Sequence, residues 1–143
     1  MSINQISVFL ENRSGQLAEM TGLLSANGID IRAISIAETS DYGLARMIVD
    51  DAQKASSVLL SSGAVLSMNP VCAVEVPDKP GGLAELLSTL AEGNIDVEYM
   101  YSLFTHREGC AYMVLRVSDE AVLAAALAKH GIKVMDPESL GIK

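Results

Sequence analysis

Tryptophan is absent from this chain, which has only two phenylalanines and four tyrosines. That is too few aromatic rings for a platform on which successive nucleobases stack. Basic residues are also scarce: ten Lys and Arg stand against eighteen Asp and Glu, for a formal charge of −8. They are scattered rather than gathered into a stripe, so the field of the protein repels nucleic acid and anionic membrane surfaces alike. No apolar run approaches the roughly twenty residues that span a bilayer. The start, Met1-Ser2-Ile3-Asn4-Gln5, has neither a basic region nor a cleavable apolar segment, which points to the cytoplasm. The two cysteines, Cys72 and Cys110, form no CxxC and have no nearby His pair, so both are expected as small hydrophobes buried in strands. His106 and His130 lack ligand spacing: His106 is expected in a turn, and His130 at a helix end, where a cation suits the macrodipole. No metal site and no cofactor are expected.

Catalytic signatures are missing too. GxSxG, HExxH, GxxxxGK[ST] and GxGxxG do not occur, and Lys79-Pro80-Gly81-Gly82 lacks the Lys-Ser/Thr that would hold a nucleotide phosphate. The carboxylates fall at helix starts and loop edges, where capping and solvation explain them. No catalytic residue emerges, and no enzymatic activity is expected.

What the chain does have is apolar material, half of its 143 residues, and a repeat. That length suits one ordinary domain or two very small ones. Shifted by 66 positions, Gly15 falls on Gly81 and Leu17-Ala18-Glu19 on Leu83-Ala84-Glu85. Leu24 then meets Leu90, Ile29-Asp30-Ile31 meets Ile95-Asp96-Val97, and Gly43-x-Ala45-x-Met47 meets Gly109-x-Ala111-x-Met113. Turn glycines, core apolars and polar loop residues match together, which chance in a Leu/Ala-rich chain does not produce.

Within each copy the hydrophobic period switches in a fixed order. Ile6, Val8 and Leu10 alternate as a strand, and Leu17, Met20, Leu23 and Leu24 form a helical stripe that stops at Asn27-Gly28. A second strand is predicted from Ile29 to about Glu38, with a phase change at Ile34 and Ile36 that implies a bulge or burial on both faces. Ser40 to Gly43 turn into a third strand, Leu44 to Val49. Asp50-Asp51 cap a helix to about Ser62, Gly63 ends it, and Ala64 to Met68 close the module. The second copy repeats this. It has a strand Val71 to Val76, a helix face of Leu83, Leu86, Leu87 and Leu90, and a long strand with Ile95, Val97, Tyr99, Tyr101 and Leu103. The turn His106 to Gly109 follows, then the strand Cys110 to Val117, a helix capped by Ser118-Asp119 to about Lys129, and the strand Ile132 to Val134. Asn69-Pro70 is the only candidate linker, and the tail from Asp136 to Lys143 is left unplaced.

The fold class is therefore α+β: two ferredoxin-like βαββαβ modules in tandem, residues 1–69 and 70–143, each an antiparallel sheet with its helices on one face. The other sheet face also carries apolar residues and needs a cover, which favours a homodimer.

One polar loop recurs at a fixed place, between the first strand and the first helix. It is Asn12-Arg13-Ser14-Gly15-Gln16-Leu17 in one copy and Asp78-Lys79-Pro80-Gly81-Gly82-Leu83 in the other. A helix N-terminus offers unpaired N–H groups to a carboxylate. Gly15 and Gly81 let a ligand approach the backbone, and Asn12 or Asp78 adds a side-chain handle. Asp30 and Asp96, at the start of the second strand, are expected near that loop as a grip for an ammonium group. A carboxylate end and an ammonium end together describe a free amino acid. The same residues are also ordinary turn and cap residues, and the two readings stand side by side on physics alone.

The segment from Leu10 to Met20, with Asn27-Gly28-Ile29-Asp30-Ile31, resembles the ACT domain, a regulatory module that binds amino acids in many metabolic enzymes. Asp78-Lys79-Pro80-Gly81-Gly82-Leu83 with Asn94-Ile95-Asp96-Val97 is more similar still. The resemblance covers essentially the whole chain, as two ACT domains with no enzyme attached. It implies effectors bound at interfaces between ACT domains, against Asn12, Arg13, Ser14, Gly15, Gln16, Leu17, Asp30 and Ile31 in the first copy. In the second it implies Asp78, Lys79, Pro80, Gly81, Gly82, Leu83 and Asp96. Asn12 and Asp30 are similar to the asparagine pair that holds serine in a serine-inhibited phosphoglycerate dehydrogenase. Three residues depart from the pattern: Asp30 is an acid in place of an amide, Ser14 replaces the usual proline, and Asp78 replaces the amide. The implied function is an amino-acid-binding regulatory protein, as a homodimer or with a metabolic-enzyme partner. An alternative is a regulatory subunit such as that of acetolactate synthase, which acts by protein contact.

Overall fold

The computed structural model describes every residue except Met1, Asn12, Thr39, Ser40 and His106. The turn expected at His106 thus lies outside the described residues. The elements in chain order are β1 (Ile3–Glu11), α1 (Gln16–Ala26), β2 (Ile31–Glu38), β3 (Tyr42–Val49), α2 (Ala52–Ser61) and β4 (Leu66–Pro77). Then come α3 (Gly82–Glu92), β5 (Val97–Ser102), β6 (Cys110–Val117), α4 (Glu120–Lys129) and a 3₁₀ turn at Glu138–Leu140. They divide into an N-terminal unit, Asn4–Asn69 with Gly141–Lys143, and a C-terminal unit, Pro70–Leu140 with residues 2–3.

In the N-terminal unit β3 runs antiparallel to both β1 and β2. Ile6 lies opposite Met47 and Val8 opposite Ala45, while Ile34 and Ile36 oppose Met47 and Ala45 from the other side. Residues paired this way share a sheet face. That face meets the helices in a core of Ile6, Val8, Leu10, Met47 and Val49 with Met20, Leu24, Ala55 and Leu59. The register shifts between Ile31 and Ala33, the bulge that the phase change anticipated. On the far side of β1, Phe9 N–H donates to the Val65 carbonyl at 3.0 Å.

The C-terminal unit repeats the plan. β6 is antiparallel to β4 and β5, with a register shift between Val97 and Tyr99. Its core gathers Val74, Val76, Leu86, Leu90, Leu115, Val117, Leu123 and Leu127. The closing strand expected at Ile132–Val134 is held by Glu75 N–H donating to Lys133 O at 3.0 Å and Met135 N–H donating to Ala73 O at 2.8 Å.

The structure corrects the repeat itself. Ile6 to Cys72 is 66 positions, but their partners Met47 and Leu115 are 68 apart. The offset is therefore 66 through β1, α1 and β2, and 68 from β3 onward, because the second hairpin is two residues longer. Gly43-x-Ala45-x-Met47 is consequently matched with Ala111, Met113 and Leu115, not with Gly109, Ala111 and Met113. The Gly–Ala–Met coincidence in sequence hid an insertion in the turn.

Other expectations also shift. The units divide between Asn69 and Pro70, and this junction is extended strand within β4, since proline's fixed φ suits extended backbone; Pro70 O accepts a hydrogen bond from Arg116 Nη1. The tail, unplaced from sequence, is packed: Met135, Leu140 and Ile142 are buried, and Lys143 N–H donates to Asp50 O at 2.7 Å. Gly141–Lys143 accordingly go with the N-terminal unit. The second face of each sheet is not bare either. Ala33 and Ile48 in one unit, and Ala73, Tyr101, Tyr112 and Val114 in the other, are buried within the chain. Among the described residues no helix is long and apolar enough to cross a membrane.

The second helix of each unit is capped by aspartate. Asp51 accepts from Lys54 N–H at 3.1 Å, and Asp119 from Ala121 and Val122 N–H at 3.0 and 3.2 Å. Asp51→Ala and Asp119→Ala should each cost about 1 kcal/mol, measured as a lowered urea midpoint at unchanged m-value.

Candidate functional site

The loop from β1 to α1 and the loop from β4 to α3 are built alike. Arg13 N–H donates to Glu11 O at 2.8 Å and Lys79 N–H to Pro77 O at 3.0 Å, so both loops open with the same tight turn. Gly15 and Gly81 follow with φ of 84° and 88°, in the left-handed region that glycine enters without penalty. Each is the N-cap of its helix, and neither helix has a capping side chain. The second helices are closed by Asp51 and Asp119; the first helices start open, at the loops the sequence singled out.

Beside each loop lies a cleft, of about 780 Å³ in the N-terminal unit and about 510 Å³ in the C-terminal unit. With the corrected offset most of the two linings coincide; Val8, Arg13, Asp41 and Leu59 line only the first cleft and Arg107 only the second. Phe9, Gln16, Met20 and Leu23 correspond to Glu75, Gly82, Leu86 and Thr89, and Tyr42, Ser62 and Val65 to Cys110, His130 and Lys133. The walls are the end of the first strand, the first helix, the start of the third strand and the turn after the second helix.

Of the predicted site residues, Arg13 and Gln16 line the first cleft and Gly82 the second. Ser14, Gly15 and Leu17 share the first loop without lining its cleft, as do Asp78, Lys79, Pro80, Gly81 and Leu83 in the second. Asn12 lies outside the described residues. Asp30, Ile31 and Asp96 line neither cleft, and in each unit the first helix lies between the loop and the start of the second strand. An eleven-residue helix intervenes in each unit, and at about 1.5 Å per residue its ends stand roughly 16 Å apart. Asp30 is occupied at the far end: its carboxylate pairs with Arg32 at 3.0 Å, and its N–H donates to the Asp50 carboxylate at 2.9 Å. Ile31 packs against the core.

The residues that sequence reasoning missed come from the turn after the second helix, Ser62–Val65 and His130–Lys133, and from the third strand. The signal was present in the strand that lines each cleft: Phe9 and Glu75 occupy the same place and could hardly differ more in chemistry.

The electrostatics differ accordingly. In the first cleft Arg13 forks onto Glu19 at 3.2 and 2.9 Å, with Glu11 at 3.6 Å. The hydrogen bonds that Arg13 donates to Glu19 raise the Arg13 pKa and lower that of Glu19. Arg13 is thus engaged by carboxylates rather than poised alone for a ligand. Gln16 Oε1 is different: it is buried and has no hydrogen-bond partner among the described residues. In the second cleft Arg107, carried by the longer hairpin, donates from Nε to Glu75 Oε1 at 2.9 Å. The Cys110 thiol, and after it Arg107, hold the Glu75 carboxyl below the usual carboxylate range, while the bond to Glu75 pushes the Cys110 thiol up. Cys72 is buried as expected, but Cys110 is half-buried at a cleft wall rather than in the core. His130 ends α4 as expected, 3.8 Å from Glu92. Among the described residues no group of three His, Cys, Asp or Glu could hold a metal.

A depressed folded-state pKa at Glu75 stabilises the fold at pH values above the unfolded value of about 4.3, and that contribution is lost as pH falls through the folded value. Glu75→Gln should therefore be less stable than the parent at pH 7, with urea midpoints that converge as pH falls through the lowered folded-state value.

Residues 1–135 match the family described as an ACT domain pair. The chain belongs to this family. A protein of Bacteroides thetaiotaomicron, BT0572, is 33% identical, superposes with a TM-score of 0.91, and is matched over 99% of this chain and 96% of its own. The regulatory subunit of aspartate kinase from Thermus thermophilus, in a ligand-free form, shares the fold at 20% identity and a TM-score of 0.67, over 90% of this chain and 91% of its own. The acetolactate synthase isozyme 3 small subunit of Escherichia coli is 43% identical over 44 residues, 31% of this ACT pair but 27% of that subunit. The corresponding small subunit of Buchnera aphidicola is also 43% identical over 44 residues, 28% of its length. The ACT pair thus has the regulatory ACT fold twice over, with the β1–α1 and β4–α3 loops at equivalent places.

Proposed function

We propose that this ACT pair is a non-catalytic regulatory protein that binds a free amino acid at the open loop of an ACT domain. The observation that carries the reading is the contrast between helices: the first helix of each unit begins uncapped beside a cleft, while the second is closed by aspartate. The N–H groups of the first turn of α1 suit the carboxylate of the ligand. Gln16 Oε1, an acceptor without a partner among the described residues, suits its ammonium group. Asp30 and Asp96 reach such a ligand only when it lies between copies of the chain, with the loop supplied by one ACT domain and the strand start by another. Binding then regulates by stabilising whichever arrangement holds the ligand more tightly.

Calorimetric titration and thermal melts against the twenty common amino acids test this. At least one is expected to raise the melting temperature at millimolar concentration; no shift with any of them refutes the reading. Gln16→Met should weaken that binding by about ten- to a hundredfold, the value of a hydrogen bond to a charged group. Without ligand the same variant should melt no lower than the parent, because a buried orphan acceptor has been removed.

A second reading is favoured by the 43% identity to segments of acetolactate synthase small subunits: a subunit that regulates a larger catalytic chain by contact. Co-purification with such a chain supports it, and a homodimer with full ligand response counts against it.

A further inference from the structure

The two clefts are equal in position and opposed in chemistry. Phe9, Tyr42 and Val65 stand at the rim of the first, each large, apolar and close to half or more exposed at 49%, 44% and 65%. The rings of Phe9 and Tyr42 lie 5.4 Å apart between centroids, and Phe9 N–H bonds to the Val65 carbonyl. Deeper in, Leu10, Met20 and Leu23 continue the apolar lining. In the C-terminal unit Glu75, Cys110 and Lys133 occupy the three rim positions, and the matching backbone bond runs from Glu75 to Lys133. Where the first unit has an aromatic pair, the second has a carboxylate bonded to a thiol and to Arg107. Leaving a cluster of apolar side chains in water is unfavourable, and such a cluster at the mouth of a cleft marks a surface that is covered when the site is in use.

We propose that the N-terminal cleft takes an amino acid with a large apolar side chain, and that the C-terminal cleft does not take that class. This rests on the reading of the loops as an amino acid site. The backbone end of the ligand sits at the start of α1 beside Gln16, and its side chain extends under Phe9, Tyr42 and Val65. Glu75 and Lys133 exclude the same side chain from the second cleft, because burying it there desolvates charged groups without compensation. Phe9, Leu23 and Val65 are the specificity-determining residues.

The test is calorimetry on the full chain with leucine, isoleucine, phenylalanine and methionine against serine, aspartate, glutamate and lysine. The parent should bind the best apolar ligand at least tenfold more tightly than any polar one, with one site per chain. Phe9→Glu combined with Val65→Lys places the chemistry of the second rim on the first and should abolish that preference. Phe9→Ala, a milder change at a half-exposed position, should weaken apolar binding about tenfold at unchanged melting temperature. Preferential binding of a polar or charged amino acid, or two equivalent apolar sites per chain, overturns the inference and leaves the amino acid reading standing. Absence of binding by every amino acid overturns both.

Discussion

Gly82→Ala is expected to destabilise the protein by about 3 kcal/mol, the upper end of what one excess carbon costs in a filled site. A Cβ on Gly82 would sit 2.1 Å from the Pro77 carbonyl oxygen, 3.1 Å from its carbon and 3.5 Å from Val76 Cγ1. The obstacle is backbone rather than the far end of a flexible side chain. That backbone is pinned, since Pro77 is in register with Cys110 and Asp78 N–H donates to Gly109 O at 2.9 Å. Relief thus requires α3 to withdraw from β4, or the turn at Lys79 to open and lose the bond from Gly82 N–H to Lys79 O at 3.1 Å. The matched residue in the first unit is Gln16, so the same place there already accommodates a side chain. Gln16→Ala is the control, expected within about 0.5 kcal/mol of the parent. Chemical denaturation of the two variants checks both numbers, and a Gly82→Ala protein with parental stability would mean that α3 withdraws from Pro77 at little cost.

That contrast also shows what the sequence made legible. Two glycines at Gly81-Gly82 against one at Gly15 appear as a minor difference in a loop motif, yet they have separate causes: Gly81 needs a left-handed φ, and Gly82 needs the absence of a Cβ. The first cause is local and follows from turn chemistry. The second is a contact with residue 77 and requires coordinates. The same division runs through the fold. Helices, strands and the phase change near Ile31 show in the local hydrophobic period, and the aspartate caps in residue type just before each helix, so both could be read without coordinates. The two-residue insertion in the second hairpin did not show, because Gly109-x-Ala111-x-Met113 imitates Gly43-x-Ala45-x-Met47 and only strand pairing distinguishes the registers. Half of the candidate site was visible: the loops and their open helix starts. The other wall, Ser62–Val65 and His130–Lys133, arrives from more than forty residues away in sequence, and no local pattern links it to Gln16 or Gly82. Asp30 was expected beside the loop because it starts the second strand, although α1 lies between them; counting residues along α1 sets the two helix ends roughly 16 Å apart.

Leu24→Ala and Leu90→Ala should each cost about 2–5 kcal/mol, because both are closed off from solvent and packed on every side. Leu24 is 0% exposed among Met20, Ile6, Val8 and Leu59, and Leu90 is 1% exposed among Leu86, Val74, Leu123 and Leu127. The two leucines are matched positions of the repeat, so similar losses are expected from different surroundings. Leu17→Ala and Leu83→Ala, on the same two helices but 39% and 42% exposed, should cost less than about 1 kcal/mol. Truncation of the same residue type on the same helix then differs only in burial, which removes propensity and side-chain chemistry as explanations. Urea midpoints of the four variants decide the matter. Losses at Leu17 or Leu83 as large as those at Leu24 and Leu90 would mean that these residues are covered in solution. Since both follow directly on the open helix starts, the cover would then be a second copy of the chain seated on the loops, and the losses should shrink on dilution below the dissociation constant of that assembly.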